Sequence, residues 1–183
     1  HAAREHRRQG RVKEAGEACR RAIDAADSRA EASLLAEALR RLGSIHGRRH
    51  EIDEAIRLCE SSREVALGAG EPALAAQALN GIALALLARG DIPGARARLL
   101  QALHAGGEDD ELRGHIEQNL GITANIQGDF RAALGHYERS LEADRAARNE
   151  RGCATAYHNL GMISADRQQW DDADRYFRAS LDI

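Results

Sequence analysis

The chain has 183 residues, of which 43% are hydrophobic, so it is long enough to bury a core as one domain or one repeat array. Its formal net charge of −3 argues against a general affinity for nucleic acid or anionic membranes, and its three cysteines, an odd number, argue against a disulfide framework. Because Arg, Glu and Asp interrupt the apolar runs, we expect no membrane-spanning helix of roughly 20 residues and predict a cytoplasmic protein.

A pattern of small residues recurs about every forty positions. Asn-Leu-Gly at 119–121 returns at 159–161, and the small residue that ends this motif serves as the anchor of each repeat. Further small residues follow twelve and nineteen positions after the anchor. The anchors are Ala3, Gly43, Ala83, Gly121 and Gly161. They define one array of five repeats, at about 1–29, 30–70, 71–107, 108–148 and 149–183, which we expect to be a fragment of a longer protein because an initiator Met is missing.

Each repeat is predicted to be a pair of amphipathic helices, because apolar residues recur at helical spacing, as at Leu39 and Leu42. A turn such as Gly90-Asp91 or Gly128-Asp129 separates the two helices. The second helix opens with a large apolar residue that we expect to fill the space between one repeat and the next: Val12, Ile52, Ile92, Phe130 or Trp170. A further core residue lies sixteen positions after the anchor: Cys19, Cys59, Leu99, Tyr137 or Phe177.

Several residues predict where helices begin and end. Pro72 and Pro93 suit the first turn of a helix, where a missing N–H costs nothing. The pair Gly106-Gly107 is expected to stop one helix, and Asp109 or Asp110 is expected to cap the next. These boundaries support helix pairs over the whole chain.

This pattern resembles the tetratricopeptide repeat, whose signature places Leu-Gly in the first helix and Ala, an aromatic residue and Ala or Ser in the second. The resemblance implies an all-α fold, a right-handed α-α superhelix, or solenoid, of about five helix-turn-helix units. The usual repeat has about 34 residues. The longer period found here is similar to that of kinesin light chain and of bacterial signalling and transcription-activator proteins.

The sequence contains no catalytic signature, since GxxxxGK[ST], HExxH and GxSxG are all absent. We therefore predict that the protein is not an enzyme and needs no cofactor. His46 and His50 have the four-residue spacing of a metal-binding pair. No third ligand is evident, and Arg48 and Arg49 would repel a cation, so we predict no metal site there.

The resemblance also implies a partner-binding surface, because the first helices of such repeats line a concave groove. Its expected residues run from a basic end to an end rich in amides and apolar side chains. They are Arg41, Ser44, Arg48, Asn80, Leu84, Gln118, Asn119, Ile122, Asn125, His158, Asn159 and Met162. Asn119 and Asn159 are the leading candidates, since an amide can both donate to and accept from a peptide backbone.

Simpler interpretations of these residues stay open. The two asparagines would also suit a crowded polar position between helices. The arginines would also form an ordinary salt-bridged surface. Ile122 and Met162 would also serve as core residues.

The predicted function is protein interaction, by a scaffold that binds a peptide or a partner domain in its concave groove, in bacterial signalling or transcriptional regulation. Arg outnumbers Lys by 25 to 1, which is typical of a GC-rich bacterial genome. One alternative is a ligand- or peptide-sensing regulatory segment of a larger activator, kinase or cyclase. Another is a structural dimerisation module that forms a homo-oligomer. The expected partner is a protein or peptide, not a membrane or a nucleic acid.

Overall fold

The computed structural model describes residues 29–183, and this part of the chain contains eight α-helices and no strand. In chain order the helices are α1 (Arg29–Arg48), α2 (Ile52–Gly68), α3 (Pro72–Arg89), α4 (Ile92–Ala105), α5 (Asp110–Ile126), α6 (Phe130–Ala146), α7 (Glu150–Asp166) and α8 (Trp170–Leu181). The predictions made for the first repeat, including Ala3, Val12 and Cys19, lie outside the described residues.

The chain divides into two compact bodies. The N-terminal body ends at Arg98, and within it α1 packs against α2 and α3, while α2 also packs against α3. The C-terminal body begins at Leu99. In it α5 packs against α6, α6 against α7 and α7 against α8, and α5 also contacts α7. In both bodies, therefore, the first helices of neighbouring repeats lie side by side.

The four anchors in the described part of the chain, Gly43, Ala83, Gly121 and Gly161, are buried, and the three glycines lie at close contacts between the helices of a pair, as predicted. A Cβ added at an anchor glycine would meet the side chain sixteen positions later at a distance that real Cβ atoms do not show. The pairs, with the shortest distances, are Gly43 with Cys59 (2.6 Å), Gly121 with Tyr137 (2.5 Å) and Gly161 with Phe177 (2.7 Å). The anchors are small because the predicted core residue of the second helix occupies the space of a side chain.

The serine nineteen positions after the anchor forms a hydrogen bond in each of the three repeats that carry it. Its hydroxyl donates to a backbone carbonyl of the first helix, always twenty-six residues earlier. The bonds run from Ser62 to Ala36 (2.6 Å), from Ser140 to Gly114 (3.0 Å) and from Ser180 to Ala154 (2.8 Å). The sequence indicated only that this residue must be small. The structure adds that its hydroxyl ties the two helices of a repeat together.

Each turn between helices contains a residue in the left-handed region. Glycine occupies four of these turns and a residue with a side chain occupies three. The residues are Gly70, Gly90, Gly107, Gly128, His50, Arg148 and Gln168. Asp109 accepts a hydrogen bond from the backbone N–H of Leu112 at 2.9 Å and so caps α5, as predicted.

Two expectations from the sequence are wrong. The aromatic residues that open second helices are not buried between repeats as expected, because Phe130 is 40% and Trp170 is 66% exposed. The expectation of no long apolar helix fails for α3, which is long and apolar enough to cross a membrane. Its residues 72–88 include no charged side chain. Seven residues of α3 are buried within the fold, so its composition is weak evidence for a membrane span.

Candidate partner-binding faces

In the N-terminal body the predicted binding residues lie on the neighbouring helices α1 and α3. Arg41, Ser44 and Arg48 are exposed, and their spacing of three and four residues places them on one stripe of α1. Asn80 is half-buried on α3, and Leu84, one turn later, is 47% exposed. The two stripes belong to helices that contact each other, so a single partner segment could reach both.

Two arginines of α1, Arg40 and Arg41, are engaged with Glu37. Arg40 donates two hydrogen bonds of 2.8 Å to this carboxylate, and Arg41 donates a third of 2.5 Å. Burial acts to raise the pKa of Glu37, but the hydrogen bonds from the two arginines hold it below its ordinary value. Arg48 instead donates to the neutral hydroxyl of Ser44 at 3.2 Å. An anionic partner would therefore compete with Glu37 at Arg41 but not at Arg48.

In the C-terminal body the predicted residues lie on α5 and α7, which also contact each other. Gln118, Ile122 and Asn125 are half-buried on α5, and Ile122 packs against the hydrophobic core of this body. His158 is exposed on α7, and Met162, one turn later, is 47% exposed. Met162 is thus a surface residue, whereas Ile122 belongs in part to the core.

The two candidate asparagines have different surroundings. Asn119 is only 9% exposed, and its backbone carbonyl accepts a hydrogen bond of 2.7 Å from the Thr123 hydroxyl. Asn159 is half-buried, and its amide nitrogen Nδ2 is enclosed without a hydrogen-bond partner among the residues that the structure describes. An enclosed donor without an acceptor costs about 1–3 kcal/mol. Of the two side chains, that of Asn159 is the more exposed, although its Nδ2 would have to turn outward to reach a partner.

The histidine pair at His46 and His50 is not arranged as a metal site. His46 Nδ1 is hydrogen bonded to Glu51, which also pairs with Arg49 at 3.1 Å. His50 has a φ of 60° in the exposed turn between α1 and α2. Across residues 29–183 no three His, Cys, Asp or Glu side chains are grouped closely enough to hold a metal ion.

A buried ionic cluster was missed by the sequence analysis. Glu117 of α5 is buried and bonds to His136 Nδ1 at 2.6 Å and to Arg139 Nε at 3.1 Å, both on α6. Burial acts to raise the pKa of Glu117, but the hydrogen bonds from His136 and Arg139 hold it below its ordinary value. In the second repeat, the position of Glu117 is occupied by Leu39 and that of His136 by Leu58, and both leucines are core residues. Polar, ionisable residues at two core positions of the repeat, Glu117 and His136, were the signal available in the sequence.

Comparison with known proteins connects this geometry to a family. A family model described as tetratricopeptide repeat matches residues 34–105 and 75–146, and another with the same description matches residues 153–183. No curated protein sequence matches the chain significantly.

Solved structures share the fold at low sequence identity. BtubC (BKLC) from P. vanneervenii has a TM-score of 0.76 and 17% identity over 96% of this chain and 74% of that one. Aspartyl phosphate phosphatase F from Bacillus subtilis has a TM-score of 0.76 and 14% identity over 81% of this chain and 40% of that one. A putative kinesin light chain protein with TPR-like repeats from Podosopora anserina has a TM-score of 0.66 and 16% identity over 98% and 90%. These likenesses confirm the predicted fold class, an all-α solenoid of helix-turn-helix units.

Proposed function

Because the chain belongs to the tetratricopeptide repeat family, as the sequence predicted, we propose that it is an interaction module that holds a peptide or a segment of a partner protein on the first helices of its repeats. Proteins of this family are generally scaffolds without catalytic activity. The proposed mechanism is accordingly equilibrium recognition, in which apolar contacts supply affinity and polar groups fix the register of the bound segment.

The main support is a solvent-facing apolar side chain that recurs at one position of the repeat. Leu84 on α3 and Met162 on α7 each directly follow an anchor, and each is 47% exposed. Both lie on first helices, one in each body. Covering such a side chain is worth about 25 cal/mol for each Å² of apolar surface removed from water. In each body, a partner with apolar residues would gain this free energy at the equivalent position of the repeat.

Polar groups on the first helices support a peptide as the ligand. On α7, a rotation of the Asn159 side chain would bring its enclosed Nδ2, which has no acceptor among the described residues, to a backbone carbonyl of the partner. On α1, Arg48 bonds only to a neutral hydroxyl in the hydrogen bonds described above, so its charge favours an acidic residue. The proposed ligand is therefore an extended or helical segment with acidic and apolar residues.

The test begins with peptides selected against the protein from a random display library. The affinity of one selected peptide is then measured by fluorescence anisotropy for Met162→Glu, for the double variant Asn119→Ala/Asn159→Ala and for Trp170→Glu. Trp170 is the matched control because it is exposed on a second helix. We expect the first two variants to weaken binding about tenfold or more while the control is unchanged. Equal affinity for all the variants, with helicity intact, would place binding elsewhere.

The biological setting that we propose is bacterial signalling or transcriptional regulation in the cytoplasm. The excess of Arg over Lys supports a bacterial source. The B. subtilis structure of similar fold is by name a phosphatase of aspartyl phosphate, which gives one example of this fold in a bacterium. The sequence of the full gene tests this setting, because a flanking DNA-binding, kinase or cyclase domain would instead favour a sensing segment within a larger regulator.

A further inference from the structure

The carboxyl group of Asp144 is wholly buried in the C-terminal body, where α6 packs against α5 and α7. Ser140 Oγ lies 3.2 Å from Asp144 Oδ2, and the side-chain amide of Asn149 donates to Oδ1 at 2.7 Å. Two glycines complete the enclosure. A Cβ at Gly114 of α5 would lie 2.8 Å from the carboxyl group, and a Cβ at Gly152 of α7 would lie 2.0 Å from it. Asp144 therefore fills the space that these glycines leave.

The supply of hydrogens at this junction favours a neutral carboxyl group. Ser140 has a single hydroxyl hydrogen, and two acceptors compete for it, the carbonyl of Gly114 at 3.0 Å and Asp144 Oδ2 at 3.2 Å. The orientation of Asn149 is fixed, because its Oδ1 accepts from the backbone N–H of Gly152 at 3.1 Å. If Oδ2 carries a proton, Asp144 donates to Ser140 and Ser140 donates to Gly114. The Gly114 carbonyl, Ser140 Oγ and Asp144 Oδ1 then each accept one hydrogen bond within this group.

The second repeat shows what the same junction looks like without a charge. Counted from their anchors, the positions of Gly114, Asp144 and Gly152 correspond to Ala36, Ala66 and Leu74. Ala36 and Ala66 belong to a buried apolar cluster in the N-terminal body, and the partly buried Leu74 packs against it. In the C-terminal body, glycine replaces Ala36 and Leu74, and aspartate replaces Ala66. The three differences are complementary in volume, since the carboxyl group of Asp144 occupies space beside the two glycines.

Burial is the largest influence on the pKa of Asp144, and the nearby residues His115 and Glu111 act on it in opposite directions. Among the described residues, the ionisable groups that face it are His115 and Glu111 of α5 and the thiol of Cys153 on α7. No basic side chain donates a hydrogen bond to the carboxyl group within residues 29–183. Burial raises the pKa of Asp144 above its ordinary value, although the hydrogen bonds from Asn149 and Ser140 oppose this.

We propose that the junction of α5, α6 and α7 is a proton-dependent joint. The packing of the three helices is more stable when Asp144 Oδ2 carries a proton and less stable when that proton leaves. The folded chain holds the proton more firmly than the unfolded chain, in which aspartate has a pKa of about 3.9. The stability that the joint contributes is therefore complete below that value and is lost as the pH rises through the higher pKa of the folded protein. Paired surface carboxylates have the opposite dependence.

The first test compares the wild type with Asp144→Asn, and Glu142→Gln serves as the control because Glu142 is exposed on the same helix. Urea unfolding is followed between about pH 4.5 and pH 8. We expect the unfolding constant of the wild type to rise relative to that of Asp144→Asn as the pH rises, by up to about tenfold per pH unit. The ratio of the unfolding constants of the wild type and Glu142→Gln should not change in this way with pH. In parallel, the carboxyl carbon of Asp144 is titrated by NMR. A midpoint at or below about 3.9 would overturn the proposal.

The second test keeps the proposal falsifiable if Asp144→Asn does not fold. The triple variant Gly114→Ala/Asp144→Ala/Gly152→Leu recreates the cluster of the second repeat. We expect it to fold and to lose the pH-dependent part of wild-type stability. Gly114→Ala/Gly152→Leu with Asp144 retained should be destabilised, since the carboxyl group occupies the space. A triple variant with unchanged pH dependence would contradict the assignment to Asp144.

Discussion

Replacing an anchor glycine with alanine tests the packing of the helix pairs directly. In Gly121→Ala, the new Cβ would lie 2.5 Å from Cε1 and 2.6 Å from Cδ1 of Tyr137, where ordinary contacts begin at 3.4 Å. The ring would have to retreat by roughly 1 Å, although Tyr137 is buried in the core of the C-terminal body. Overpacking of this kind costs about 1–3 kcal/mol.

Gly135→Ala is the matched control for this substitution. Gly135 is also helical, and a Cβ there would have only the end of the Arg139 side chain near it, at 3.4 Å. Both variants gain about 1 kcal/mol of helix propensity, so the difference between them isolates the steric cost. We expect Gly121→Ala to be about 1–3 kcal/mol less stable than Gly135→Ala in urea unfolding followed by circular dichroism. Equal stabilities would refute the argument that the anchor is small because Tyr137 needs its space.

A second substitution should rescue the first. The third repeat has Ala83 as its anchor and Leu99 sixteen positions later, and both are buried. Gly121→Ala/Tyr137→Leu gives the fourth repeat the same pair. We expect the double variant to be more stable than the sum of the two single effects predicts, with a coupling of about 1 kcal/mol or more. Additive effects would mean that the two positions do not share one space.

Three further outcomes follow from the same structure. Ser62→Ala removes a buried hydrogen bond to α1 and should lower the free energy of unfolding by about 1 kcal/mol, whereas Ser44→Ala on the surface should not. Both Gln168 and Gly128 have positive φ, which favours glycine. Gln168→Gly should therefore stabilise the protein by about 0.5–1 kcal/mol, and Gly128→Ala should destabilise it. A shift of the thermal unfolding temperature in the same direction for both variants would contradict this. Glu117→Gln should cost about 1–3 kcal/mol at neutral pH. Since the pKa of Glu117 is lowered in the folded chain, that difference should shrink as the pH falls through it, which unfolding at a series of acidic pH values would show.

The repeat was predictable from the sequence because its fixed residues lie where backbones approach each other. A glycine such as Gly121 or Gly161 has no room for a side chain, so the requirement appears as the same letter every forty positions. The left-handed turns are partly visible in the same way, through Gly90 and Gly128. At His50 the same backbone geometry exists without the glycine, and the sequence gives no sign of it.

Single departures from the repeat were harder to interpret. Asp144 looks like an ordinary surface residue in a helix of mixed charge until its position is compared with Ala66 of the second repeat. The exposure of Trp170 was missed because a large apolar residue at helical spacing is usually a core residue. The apolar stretch of α3 was missed because alanine, which is small, supplies much of it.

The candidate binding residues could be placed on helices but not assigned a role. Sequence periodicity predicts which face of a helix carries Met162, and the structure finds that residue exposed. The same rule places Asn119 on the binding face, yet its side chain is almost fully buried. Burial depends on neighbouring helices that a repeat pattern does not describe. Binding at these residues stays a prediction.

Site-specific photocrosslinking tests the proposed binding face most directly. A photoreactive amino acid replaces Leu84 or Met162 on first helices, or Leu67 or Trp170 on second helices, all of which are exposed. Each variant is irradiated with a labelled peptide selected as described above. We expect crosslinks from positions 84 and 162 and none above background from positions 67 and 170. Crosslinks confined to positions 67 and 170 would contradict it.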